Sequence, residues 1–173
     1  MDTQRRPATI AEAQALASAT RLQIIRLCLD RTLTNKEIAD RLGVPPATAL
    51  YHIRKLVVTG FLSPGEVRPG PRGSREVPYQ STGKSWILDV EETGVTGGGA
   101  ALVEAFLAEI RLVDIESERP GLSRLGLRLT DESLEELKLR TKALLDEYVA
   151  RPPDPDGRAY SIFLSIHRDH LRD

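Results

Sequence analysis

A single cysteine, Cys28, occurs in the 173 residues, and that scarcity closes off two chemistries. A disulfide framework needs cysteines in pairs and a soft-metal site needs several thiolates, so neither is open to this chain. Cys28 stands among Leu22, Ile24, Ile25, Leu27 and Leu29, apolar neighbours that make it a core residue. Long hydrophobic runs are also missing. No stretch approaches the roughly 20 apolar residues that span a bilayer, and the opening Met-Asp-Thr-Gln-Arg-Arg lacks the apolar core of a secretion signal. A soluble, cytoplasmic protein is the expectation, and a hydrophobic fraction of 40% suffices for a packed core. Catalytic signatures are absent too: no nucleophile and base pair or carboxylate dyad is recognisable. Gly97-Gly98-Gly99 has neither G-x-G-x-x-G nor Walker spacing. No enzymatic activity and no cofactor are expected.

The excess of charge is small, a net -1, but it hides a division. Residues 1–85 hold 13 Lys and Arg against 7 Asp and Glu, hence +6, and residues 86–173 hold 11 against 18, hence -7. A basic half followed by an acidic half suggests one region that meets a polyanion and one that avoids it.

The basic half contains the most specific pattern, in residues 33–62. Thr34 and Glu37 stand in the S/T-x-x-E relation of a capping box, so a helix starts after Thr34. It buries Ile38, Ala39 and Leu42 and ends at Gly43. Pro45-Pro46 open a second helix, where the first-turn amides have no intrahelical acceptor to lose, and Gly60 closes it. Ala49, Ile53 and Leu56, flanked by Val57, recur at helical spacing and form the packed face. The opposite face then carries Pro46, Ala47, Leu50, Tyr51, Arg54 and Val58, with Thr48, His52 and Lys55 on its flanks. Two short helices joined by a glycine turn read as a helix-turn-helix. In a DNA major groove Tyr51 can bond phosphate or a base edge, Leu50 and Ala47 can meet thymine methyls, and Arg54 can reach phosphate or guanine. The alternative is that Leu50 and Tyr51 pack on neighbouring protein.

From Phe61 the sequence turns to extended runs, residues 61–67 and 76–80, around Arg68-Pro-Gly-Pro-Arg-Gly-Ser-Arg75. This predicts a β-hairpin with a basic tip, in which Arg68, Arg72 and Arg75 lie beside the DNA backbone. A helix-turn-helix followed by such a hairpin is a winged helix.

Upstream, Ala15-Leu-Ala-Ser-Ala-Thr-Arg-Leu-Gln-Ile-Ile-Arg-Leu-Cys-Leu29 resembles the "A-L-A-D-P-T-R-L-x-I-L-x-L-L" opening of arsenic-repressor-type bacterial winged-helix regulators. The resemblance covers residues 15–62 and continues loosely to 83. It implies a dimeric transcriptional regulator, a repressor rather than an activator, and a phosphate contact at Thr48. Two departures qualify it. Pro45 and Pro46 replace the Ser and Gln that the family often carries, so contacts by those two side chains are lost. The thiolates that metal-sensing members carry near the first helix are missing from Thr34-Asn35-Lys36-Glu37, which separates this chain from the thiolate sensors.

Beyond a flexible 86–99 stretch, a helix is expected over 100–116, with Leu102, Val103, Phe106, Leu107, Ile110 and Val113 as its apolar stripe. A strand at 125–129, a helix from Thr130 to about Ala150, a Pro-rich turn and a strand at 160–166 follow. His167 and His170 form an H-x-x-H pair that superficially resembles a metal site; a solvated tail is the simpler reading, and no metal is assigned.

The expectation is therefore an α+β chain. Residues 1–85 make a winged helix-turn-helix, 86–99 a linker, and 100–173 a helix-strand-helix-strand region for dimerisation and effector sensing. The partners implied are double-stranded DNA with an inverted repeat, a second copy of the chain mainly through the 100–116 helix with an N-terminal helix around 9–16 beside it, and a small-molecule effector without thiolate chemistry; the alternative for the 100–116 stripe is intramolecular core. The competing reading is a winged-helix module that binds a protein through Leu50 and Tyr51.

Overall fold

The local signals between Thr9 and Thr59 are strong enough to set most element boundaries. In the computed structural model, which describes residues 5–70, 73–90, 93–118 and 120–172, the chain divides into two units, residues 4–113 and 114–173.

In the first unit, Thr9 caps helix α1 (Ile10–Leu16) through a capping box with Glu12. Helix α2 (Ala19–Leu27) carries the buried Ile24 and Ile25. Strand β2 (Leu33–Thr34) leads into α3 (Asn35–Leu42), where Thr34 and Glu37 form the expected box. Gly43 ends α3 at φ +64, a conformation that a Cβ makes costly. After two linking residues, α4 (Pro46–Val58) begins with Pro46 in its first turn and buries Ala49, Ile53 and Leu56. Gly60, at φ +75, turns the chain so that the Phe61 amide donates to the Leu56 carbonyl at 2.8 Å.

A three-stranded antiparallel sheet completes the winged helix, with β3 (Leu62–Pro64) and β2 on either side of β6 (Pro78–Ser81). Pairing of Leu33 with Tyr79 explains why the two residues before α3 are extended, a strand that the sequence pattern did not announce. Farther out, β4 (Arg68–Pro69) pairs with β5 (Arg75–Glu76) as the wing. A 3-10 turn over Lys84–Ile87 then leads to β7 (Leu88–Asp89), which pairs in parallel with β1 (Arg6–Pro7). The core of the unit is aliphatic: Ile24, Ile38, Ile53, Leu56, Phe61 and Leu62 are fully buried. Cys28 is among them, a free thiol whose pKa burial pushes up to about 11.

Helix α5 (Gly98–Ile110) is shorter than the expected 100–116 helix. The Val113 amide still reaches back to the Ile110 carbonyl, and Asp114 then accepts from the Glu116 amide and opens the short α6 (Ile115–Glu118). The expected boundary at residue 100 also shifts. Ala101 and Ala105 are buried and Glu109 pairs with Arg26 of α2 at 2.9 Å, so α5 belongs to the first unit.

In the second unit Thr130 caps α7 (Asp131–Val149), as the sequence suggests. The expected strands at 125–129 and 160–166 are corrected: neither segment belongs to a sheet in the chain. Alternation fixes which side chains share a face, but a strand exists only through a ladder, and neither segment finds one here.

Candidate nucleic-acid interface

Helix α4 presents its two sides as different chemistry. Ala49, Ile53 and Leu56 are completely buried. Pro46, Ala47, Thr48, Tyr51, Arg54 and Val58 are exposed and Leu50 is half-buried. The exposed apolar area is large for a soluble surface: Tyr51 is 54% and Val58 87% accessible. Cations frame it. The Lys55 ammonium lies 4.8 Å from the centre of the Tyr51 ring. Its hydrogen bond and charge, with a further contribution from Arg21, hold the Tyr51 hydroxyl below its usual pKa. Among the described residues Arg54 has no ion-pair partner.

The outward face of α4 borders an open groove of about 590 Å³ whose other wall is α1 and the start of α2, including Ala11, Ala15 and Arg21. Arg21 donates to the Ala15 carbonyl at 2.6 Å and the Gln14 carbonyl at 2.7 Å, which closes the C-terminal end of α1. Leu50 lines this groove. His52 stacks edge-on against Tyr51 at 5.2 Å, with its Nδ1 buried and without a hydrogen-bond partner. Burial first, then Arg21 and Lys55, depress its pKa.

Several polar contacts fix the axis of α4. The Asn35 amide nitrogen donates to the Pro46 carbonyl at 3.1 Å and joins the starts of α3 and α4. At the other end Lys84 donates to the Thr59 carbonyl at 2.6 Å and pairs with the buried Glu12 at 2.6 Å. Glu12 also takes two bonds from Arg6, at 2.7 and 3.0 Å, and one from the Thr9 amide. These bonds, Arg6 first and then Lys84 and the Thr9 amide, hold its carboxyl far below the usual carboxylate range against the cost of burial. The Thr9-x-x-Glu12 spacing signals the helix start. Nothing in the sequence links Glu12 to Lys84, because only the fold brings them together.

The wing departs from expectation at one residue. Arg68 stands 3.6 Å from Glu37 and 3.9 Å from Glu76, acids that lie outside the tip sequence, so its charge is partly spent within the protein. Arg75 is exposed on β5. Arg72 lies outside the described residues. A Cβ on Gly70 would stand 2.5 Å from the Ser74 hydroxyl and 2.7 Å from Glu76 Cγ, so those two side chains would have to turn away.

Of the α5 stripe, Leu102, Val103 and Leu107 are exposed, and Phe106, Ile110 and Val113 are half-buried. His167 and His170 lie on exposed chain. Among the described residues no cluster of three or more His, Cys, Asp or Glu side chains could hold a metal ion, and no helix is long and apolar enough to cross a membrane.

Residues 16–63 match the family model described as a helix-turn-helix domain. The match spans α2, α3 and α4 and reaches β3. Among curated proteins no sequence match was found. Solved structures offer looser likenesses. Reduced HlyU from Vibrio cholerae is 20% identical over 57% of this chain and 85% of its own, with a TM-score of 0.34. An apo-form double mutant of ZitR from Lactococcus lactis is 20% identical over 76% and 83%, with a TM-score of 0.35. The adhesin competence repressor AdcR from Streptococcus pyogenes is 17% identical over 75% and 80%, with a TM-score of 0.33. TM-scores this far below 0.5 fix no detail of this chain.

Proposed function

We propose that this protein is a dimeric, sequence-specific DNA-binding transcriptional repressor of the arsenic-repressor type, released by an effector that does not act on thiolates. The observation that carries the reading is the outward face of α4, where exposed Tyr51 and Val58 stand beside the cations Arg54 and Lys55 on a helix anchored along its other side. Such a face suits a major groove: Arg54 offers a fork to guanine or phosphate, Tyr51 a hydroxyl, and Ala47 and Leu50 contact for thymine methyls. Thr48 and Pro46 lie in the first turn, which approaches the backbone. Arg75 and Arg72, with the partly engaged Arg68, extend the contact along the phosphates.

Two recognition helices read an inverted repeat when a two-fold axis relates them. The dimer contact proposed here is α5, through the exposed Leu102, Val103 and Leu107 with Phe106, Ile110 and Val113 behind them. The thiol of Cys28, buried and with a raised pKa, offers no sensor chemistry, which is why the effector is placed elsewhere.

Selection of bound fragments from genomic DNA, followed by titration at fixed salt, tests the reading. An inverted repeat is expected, with Tyr51→Ala and Arg54→Ala each weakening binding by about 1–3 kcal/mol and leaving the helical spectrum unchanged. Unchanged affinity in both variants would remove α4 from the interface.

A further inference from the structure

Residues 114–173 specify their local structure well and yet have no core. Among the described residues of this unit none is buried, while fifteen large apolar side chains are exposed. A 60-residue domain that folds alone buries about 60% of the surface its unfolded chain exposes, so this unit is incomplete as a single copy. Helix α7 is nonetheless oriented. Glu135 pairs with Lys138 at 2.7 Å and Glu136 with Arg140 at 3.2 Å, which marks the side that faces water. Leu134, Leu137 and Leu145 lie on the other side, half-buried, with Leu144 and Tyr148 exposed beside them. The flanking segments have the alternation of half-buried strands. Leu125, Leu127 and Leu129 share one face, and Tyr160, Ile162 and Leu164 share another.

We infer that a second copy of this chain completes the unit: segments 125–129 and 160–166 of both copies join in one four-stranded sheet, with the two α7 helices covering its apolar face. The inference rests on the dimer proposed above and adds a second, interleaved contact to it. Three observations favour a second copy. A unit without a core needs its partner whenever it is folded, and only another copy is supplied in fixed proportion to the chain. Antiparallel strands are self-complementary about a two-fold axis, so one segment of each copy can meet its own counterpart at the centre of the sheet while the other flanks it. The size also fits. Ten of those exposed apolar side chains, eight on the two segments and Leu144 and Tyr148 on α7, lie where the copies would meet and form the apolar centre of an interface of roughly 20–30 residues a side. Two strands alone are marginal in water, whereas four backed by helices are not.

Light scattering and hydrogen exchange on the full-length protein test this. In the dimer, 125–129, 131–149 and 160–166 are expected to be protected; on dilution below the dissociation range their exchange should rise at least roughly tenfold while 35–58 keeps its protection. Protection that is the same in monomer and dimer, or absent from the dimer, overturns the inference. For a dimer too tight to dilute apart, the double variant Leu127→Asp, Ile162→Asp is expected to lose protection over 131–149 and to keep it over 35–58. A variant that remains dimeric with 131–149 protected overturns the interleaved contact and leaves the α5 dimer standing. A full-length chain that is monomeric at every concentration overturns both.

Discussion

Glu12 is the residue on which the first unit is most sensitive to pH. It is buried, it is ionised, and it joins Arg6, the Thr9 amide and Lys84. Because its carboxyl is held well below its unfolded value, the stabilisation is complete above the unfolded pKa of about 4.3 and declines as the pH falls toward the folded value. Thermal unfolding of the wild type should therefore lose stability between pH 5 and lower values more steeply than that of Glu12→Gln; parallel curves would mean that the carboxylate is not the titrating group. Lys84→Met removes the charged donor to both Glu12 and the Thr59 carbonyl. A loss of about 2 kcal/mol in denaturant unfolding is expected, with Arg6 still pairing Glu12. As Lys84 also holds the end of α4, DNA affinity should fall in that variant without any base contact having been touched.

The elements were most legible where a local signal carried its own physics. The Thr34 and Glu37 box, Gly43, and Pro46 in a first helical turn fix α3 and α4 from sequence, since each acts within a few residues of itself. Gly43→Ala should cost about 1 kcal/mol by strain alone, because a Cβ there meets no other atom within 4 Å. At Gly70 the cost is contact instead. Gly70→Ala should displace the Ser74 and Glu76 side chains at the wing and weaken DNA binding at most modestly while leaving the core's melting temperature near that of the wild type, which calorimetry beside a DNA titration would resolve. Elements that depend on a distant partner were not legible. Strand β2 exists because Leu33 and Thr34 lie against β6, and Arg68 turns to Glu37, 31 residues upstream. At 125–129 and 160–166 the alternation marks which side chains share a face without saying what the segments pair with, and within the single chain they pair with nothing. The face of α4 is readable from helical periodicity, but the groove beside it is not, because α1 forms its other wall.

For the whole molecule, the charge division and the proposed dimer would act together. A net +6 over residues 1–85 draws the chain to DNA, and the -7 over 86–173 disfavours contact elsewhere. Binding should weaken steeply with salt, and Arg75→Ala should reduce the slope of log affinity against log salt by about 1, as loss of one phosphate contact does. In the proposed dimer the second recognition helix would bind as an intramolecular step, which multiplies what each half-site contributes. Leu102 and Leu107 are about half accessible in the single chain, so placing Asp at both positions removes apolar contact between copies without opening the core around Ile24 and Ile53. The double variant Leu102→Asp, Leu107→Asp should lose about 10²–10⁴-fold in affinity for a full inverted repeat, while its affinity for an isolated half-site stays close to that of the wild type. Titration of both duplexes at one salt concentration separates the outcomes. Equal losses on half-site and full site would mean that the substitutions damage the reading head itself, and no loss on either would move the two-fold contact away from α5.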